Sequence, residues 1–244
     1  MRSAVTIALA AAVTWAAGPR VAEARCKPDS AARVVQPRAV GSFHEIGMSA
    51  PAELIVKQGA RESLTVRADR RVLPYLRTTV RNGRLELDLD SDAAGNRLEC
   101  VNEIVFEVTV VNLSALEVSG AGSVVIDGLR GKQLSLDLGG AASVRMDRAA
   151  LGGLDLTMSG AVKVSASGQA TRQSVHISGT GHYQAERLAS QTAVISISGT
   201  GHARVMAARE LDASISGVGN IEYVGNPRVK QSISGMGSLA RVKR

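Results

Sequence analysis

The sequence predicts an all-β chain wound as a right-handed parallel β-helix, a solenoid with 18 to 20 residues per coil. Three observations carry this. A Ser-Gly-x-Gly-like tetrapeptide recurs seven times, beginning at Ser119, Gly139, Ser159, Ser178, Ser198, Ser216 and Ser234. Apolar and polar columns alternate on both sides of each repeat. Aromatic residues make up only 2% of the chain, which suits a narrow interior filled by Val, Ile, Leu and Ala.

The columns specify strands. The residue before each tetrapeptide is apolar: Val118, Leu138, Met158, Ile177, Ile197, Ile215 and Ile233. Two before it stand Glu117, Asp137, Thr157, His176, Ser196, Ser214 and Ser232. Three before it the column is apolar again, with Gln231 the one exception. After the tetrapeptide, a polar column (Ser123, Ser143, Lys163, His182, His202, Asn220, Ser238) precedes an apolar one (Val124, Val144, Val164, Tyr183, Ala203, Ile221, Leu239). Alternation with period two marks a strand with one buried face.

Each repeat therefore reads as strand, glycine corner, strand. The corner glycines are Gly120, Gly140, Gly160, Gly179, Gly199, Gly217 and Gly235. Glycine is expected there because it reaches positive φ without a Cβ clash. Hairpins would turn alternate corners in opposite directions, whereas identical units fit one coil per repeat. Strands of successive coils then pair in parallel about 4.8 Å apart. The inward columns form apolar ladders that no single coil buries alone. Right-handedness follows the usual sense of parallel crossovers.

The first half alternates without the glycine period. Strands are expected over Phe43 to Met48, Glu53 to Lys57, Ser63 to Arg67, Arg84 to Leu89 and Glu103 to Val111. Asn82-Gly83 marks a tight turn. Asp69 to Leu76 reads as a helical turn kept short by Pro74. Residues 41–115 are expected as irregular first coils or a cap, and 116–244 as regular coils of one domain, 41–244. Arg241, Lys243 and Arg244 place charge on the last rung, which discourages edge-to-edge stacking.

The N-terminus carries an export signature. Arg2 precedes an uncharged apolar run from Ala4 to Ala17, and Ala22-Glu23-Ala24 fits a small-x-small cleavage site. Residues 1–24 are expected as a signal peptide and 25–40 as a tail. The run is short for a membrane span, and no later segment is long and apolar enough. Cys26 and Cys100 are the only cysteines, and in an exported chain they are expected to form one disulfide. The formal net charge is +7.

The motifs together resemble the head GIN domain family of auto-transporter adhesins. They are the Phe43-x-x-Ile46 opening, Leu54-Ile55-Val56-Lys57-Gln58-Gly59, Leu64-Thr65-Val66-x-Ala68-Asp69, Leu73-Pro74-Tyr75-Leu76, Asn82-Gly83-x-Leu85, the serial corners and Ile221-x-Tyr223-x-Gly225-x-Pro227. The likeness covers about residues 41 to 240. It implies a right-handed β-helix with an exported, adhesive role and brings no catalytic residues.

Site candidates come from stacked columns. His182 and His202 stand one coil apart, but a metal site needs three or four converging ligands. Glu117 stacks on Asp137, and Asp127 on Asp147. Like charges this close repel unless screened or bridged by a cation such as calcium. Paired carboxylates also cleave sugars as acid and base. Solvation is the plainer account of all these columns. Arg61, Arg67, Arg70, Arg71, Arg77, Arg81 and Arg84 form a candidate polyanion patch. No phosphate loop, His-Glu-x-x-His, Cys-x-x-Cys or Gly-x-Ser-x-Gly elbow is present.

The expected function is that of an exported, non-catalytic β-helix that binds an envelope or extracellular ligand (glycan, lipid or protein). The location is periplasmic, outer-membrane-associated or secreted. No cofactor and no nucleic-acid partner are expected, since aromatic platforms are missing. Oligomers are compatible with the fold. The alternatives are a carbohydrate-active enzyme on the same scaffold and a structural envelope protein that self-associates through its coil ends.

Overall fold

The computed structural model describes residues 33–94 and 104–243. The signal segment, Cys26, Cys100 and Arg244 lie outside the described residues, and so does the expected disulfide. The chain is nearly all β and forms a parallel β-solenoid of about 6 turns.

The N-terminal strands are β1 (Arg33–Arg38), β2 (Glu45–Met48), β3 (Glu53–Gln58), β4 (Ser63–Asp69), β5 (Leu76–Arg81), β6 (Arg84–Leu89) and β7 (Val105–Val110). The coils continue with β8 (Ala115–Val118), β9 (Ala121–Asp127), β10 (Arg130–Leu138), β11 (Ala141–Met158), β12 (Ala161–Ile177) and β13 (Thr180–Ile197). They end with β14 (Thr200–Met206), β15 (Glu210–Ile215), β16 (Val218–Val224), β17 (Arg228–Ile233) and β18 (Met236–Arg241).

Two long parallel ladders meet at the glycine corner. One stacks the segments before it, with Leu116, Leu136 and Leu156 in register and the run ending at β15 and β17. The other stacks the segments after it, with Val124, Val144, Val164 and Tyr183 in register and the run ending at β16 and β18. Strands β11, β12 and β13 run on through a second bend, where bulges shift the register between Met146 and Ala149 and between Ser165 and Ser167. Arg148 takes φ 54 at this bend. A left-handed arginine is uncommon, since its Cβ crowds the backbone.

The corner column explains its glycines differently from the sequence-based expectation. Of the seven, only Gly140 has positive φ, at 62. What the others share is close stacking. A Cβ on Gly140, Gly160, Gly179, Gly199, Gly217 or Gly235 would come closer than 3.0 Å to the carbonyl oxygen of the corner glycine one coil earlier. Backbone approach to backbone excludes the side chain, more than the dihedral does.

The first half winds out of chain order. Strands β6 and β7 lie beneath β2 and β3, and β8 and β9 lie above them. The β2–β3 coil is thus inserted between two coils that follow it in sequence. Its corner is Ser49-Ala50-Pro51-Ala52, where Ser119 N–H reaches Met48 O. This eighth corner has no glycine.

The N-terminal end is closed by antiparallel pieces. Strand β4 pairs antiparallel with both β1 and β7, and β5 folds against β6 as a hairpin. Asn82 and Gly83 make the hairpin turn with φ 51 and 78. Leu73–Tyr75 is a single 3₁₀ turn led by Pro74, and Val72, Leu73 and Leu76 are buried in the core. Residues 33–38, assigned to the tail from sequence, form β1, and Arg38 is its anchor. Its guanidinium donates to Leu76 O at 2.7 Å and to Leu73 O at 3.0 Å. Burial lowers the Arg38 pKa.

The interior is one apolar cluster, interrupted by a polar cross-link. Gln173 occupies an inward column otherwise held by Leu134, Leu154, Ala193 and Leu211. It accepts from the Tyr183 hydroxyl at 2.9 Å and donates to Ser190 Oγ at 2.8 Å. Burial raises the Tyr183 pKa, so the phenol stays a donor.

Candidate binding surface

Outward side chains form straight columns spaced by one coil. Glu117 and Asp137 are register partners, as the period requires. Glu117 has a cation that the sequence left unnoticed. Arg84 Nη2 donates to its Oε2 at 2.8 Å, while Arg84 Nε donates to Glu86 at 2.7 Å. Gly47 permits this, because a Cβ there would collide with the Arg84 guanidinium and the Glu86 carboxylate. The bond to Glu117, with that to Glu86, raises the Arg84 pKa against its partial desolvation.

The second acidic pair is also neutralised locally. Asp127 and Asp147 are in register. Arg148 pairs with Asp127 across the bend, Arg145 approaches Asp147 at 3.2 Å, and the Ser167 hydroxyl donates to Asp147 at 3.1 Å. His182 and His202 are register partners with ring centroids 6.4 Å apart and planes tilted by 44°. Lys163 and Asn220 flank them in the column, and no group of three or more metal-ligating side chains occurs among the described residues. His176 stands in the separate column that precedes the corner, beside Thr157 and Ser196.

The arginine-rich segment is divided by its fold. Arg67 pairs with Glu107 at 2.8 Å, Arg77 pairs with Asp90, and Arg84 is engaged as above. Arg71 grips the buried Asp69 through Nε at 2.9 Å, Nη2 at 2.6 Å and its own N–H at 2.9 Å. The Arg71 side-chain bond holds the Asp69 carboxyl below its ordinary value against desolvation. Arg61, Arg70 and Arg81 make no ion pair among the described residues. Four of the seven arginines therefore serve local carboxylates, which leaves a thinner patch than their density in sequence implies.

Two further surface features stand out, the first of which escaped the sequence reading. A shallow trough of about 440 Å³ runs over the second bend, lined by small side chains such as Ala150, Ala170, Ala189 and Ser190. The C-terminal end is uncovered by the described residues, with Met236 72% exposed and Ile233 40% exposed. Gln231, the lone polar residue of its column, is exposed there, so the column has no apolar requirement at its last rung. No helix among the described residues is long and apolar enough to cross a membrane.

A family profile described as "Putative auto-transporter adhesin, head GIN domain" matches residues 42–227. Among solved structures, a putative adhesin from Bacteroides fragilis superposes with TM-score 0.80 at 21% identity, over 88% of this chain and 99% of that one. A putative lipid binding protein from Parabacteroides distasonis gives 0.68 at 21% identity, over 87% and 98%. A putative adhesin from the same species gives 0.66 at 20% identity, over 86% and 97%. At these identities the likeness is one of fold. None of the curated proteins compared matches the chain.

Proposed function

The chain belongs to the head GIN domain family of putative auto-transporter adhesins, and on that premise we propose that it is an exported, non-catalytic binding protein of the cell envelope or surface. Its ligand engages the flat solenoid faces through many similar contacts. The observation that supports this most is the regular outward array. Thr157, His176, Ser196, Ser214 and Ser232 form one column, and Ser123, Ser143, Lys163, His182, His202, Asn220 and Ser238 form another. Short polar side chains at one-coil spacing suit a long ligand with repeating hydroxyl or amide groups, where modest contacts add through multivalency.

The carbohydrate-active alternative finds less support. Glu117 is bound to Arg84, and Asp127 to Arg148. The reading is tested by incubating the mature chain with envelope polysaccharides and whole cells, with and without calcium. Saturable binding without change in ligand chain length is expected. Depolymerisation that is lost in Glu117→Gln or Asp137→Asn would replace this reading with the enzymatic one.

A further inference from the structure

The last coil pairs on one side only. Strand β17 pairs with β15 and strand β18 with β16, and no described residue covers their other edges. Arg228 and Ser234 direct their N–H groups at Arg209 and Ile215, and Met236 and Val242 direct theirs at Gly217 and Tyr223. A parallel strand alternates the side to which successive residues bond. The backbone groups of Val229, Gln231 and Ile233, and of Gly237, Leu239 and Arg241, therefore point away from the body.

Charge specifies what completes this edge. In the coil below, Glu210 is the register partner of Arg228 and Asp212 that of Lys230, with Lys230 Nζ 3.3 Å from Glu210. The ladder thus steps from acid-apolar-acid in β15 to base-apolar-base in β17. The complement of β17 is a strand that again carries acids two residues apart around an apolar one. Arg228, Arg241 and Lys243 make no ion pair among the described residues, so the positive charge at this end is unspent.

A second copy of the chain does not fit. The four strands that are edges among the described residues, β1, β5, β17 and β18, contain Arg33, Arg38, Arg77, Arg81, Arg228, Lys230 and Arg241 and no acidic residue. End-to-end contact in any pairing sets base against base. Insertion into a membrane leaves the six outward backbone sites unpaired in hydrocarbon, at several kcal/mol per group. An added strand satisfies them, whereas at the other end β1 carries Pro37, which lacks an N–H.

We propose that the C-terminal end of the solenoid receives an extended acidic segment of another protein, with alternating acidic and apolar residues, as an additional strand beside β17. This stands whether or not the flat faces bind a glycan. The probe is a dye-labelled peptide with the sequence of residues 208–216, which contains the β15 strand. Fluorescence anisotropy with the full mature chain should show saturable binding. The same peptide with Glu210→Lys and Asp212→Lys should bind at least tenfold more weakly. So should one N-methylated at the Glu210, Asp212 and Ser214 amides, which keeps its charge but cannot donate those N–H groups to the β17 edge. The Arg228→Glu/Lys230→Glu protein, with unchanged far-UV circular dichroism, should lose the acidic peptide tenfold and gain the lysine one. The proposal is overturned by absence of saturable binding, or by equal binding of the acidic and N-methylated peptides to the unaltered protein. Self-association in sedimentation velocity, or phosphatidylglycerol vesicles displacing the peptide, would assign the end to another occupant and overturn it as well.

Discussion

At the N-terminal end, Val72, Leu73 and Leu76 are buried under a turn that Arg38 fastens from β1, and the outermost strands run antiparallel to the coils. At the C-terminal end the parallel ladders simply stop. Ile233 is 40% exposed although its column predecessors Ile197 and Ile215 are buried. The same column position is core in one coil and surface in the last. Burial in a solenoid comes from the neighbouring coil, so a terminal coil has either to acquire a cap or to carry fewer apolar demands. This chain does the first at one end and, with Gln231, Ser232 and Arg241, the second at the other.

The largest expected effect separates the two ends directly. Leu64, on the capping strand β4, is 1% exposed. Leu64→Ala should cost about 2–5 kcal/mol in denaturant unfolding, through lost transfer energy and a cavity. Ile233→Ala should cost less than about 1 kcal/mol, because much of the side chain is already in water. Equal costs would mean that the C-terminal end is covered in solution.

Gly179→Ala probes the regular coils between the ends. Its Cβ would press on the Gly160 and Ser159 carbonyls, and a loss of about 1–3 kcal/mol is expected from the forced backbone shift. Ala50 occupies the equivalent corner in the inserted coil, so Ala50→Gly should cost only about 1 kcal/mol, from backbone entropy. If Gly179→Ala were as mild, the corner column would be a dihedral requirement after all.

Asp69 reports on the cap through pH. Its pKa is lowered by Arg71, so its contribution is fully present above the unfolded value of about 3.9 and is lost as pH falls through the folded value. Asp69→Asn should lower stability by about 1–2 kcal/mol at neutral pH, since hydrogen bonds to a charged group are weakened. The variant should also show a flatter Tm profile below about pH 4. An unaltered acid limb would place the acid-sensitive group elsewhere.

The contrast between the ends also marks what a single sequence discloses. The coils were legible because every one repeats the same local pattern, so Leu116, Leu136 and Leu156 declare one another. Asn82-Gly83 was legible because a two-residue turn is a local event. The insertion of β2–β3 between β6–β7 and β8–β9 was not, since parallel pairing across distant segments leaves no mark on local periodicity. Arg84 reaching Glu117 over Gly47 was hidden for the same reason, and the acidic column looked unpartnered. Gln173 gave no signal in the sequence, because Tyr183 and Ser190 reach it only through the fold. β1 was missed because Pro37 and two arginines, which mark a tail in isolation, also mark a protected edge strand.

The smallest expected effect is at Met236. This side chain occupies the corner position held in earlier coils by Ala121, Ala141, Ala161, Thr180, Thr200 and Val218, and it is 72% exposed. With little area removed from water, Met236→Ser should change unfolding stability by no more than about 0.5 kcal/mol, as for surface substitutions generally. The value of the measurement is its dependence on partner. If the open end is a docking edge, the same substitution should leave the isolated protein unchanged yet weaken binding of the acidic peptide, because a strand added there would cover part of the methionine. A stability loss above 1 kcal/mol in the isolated protein would mean that Met236 is already packed against something, and the asymmetry between the two ends would then be smaller than the fold implies.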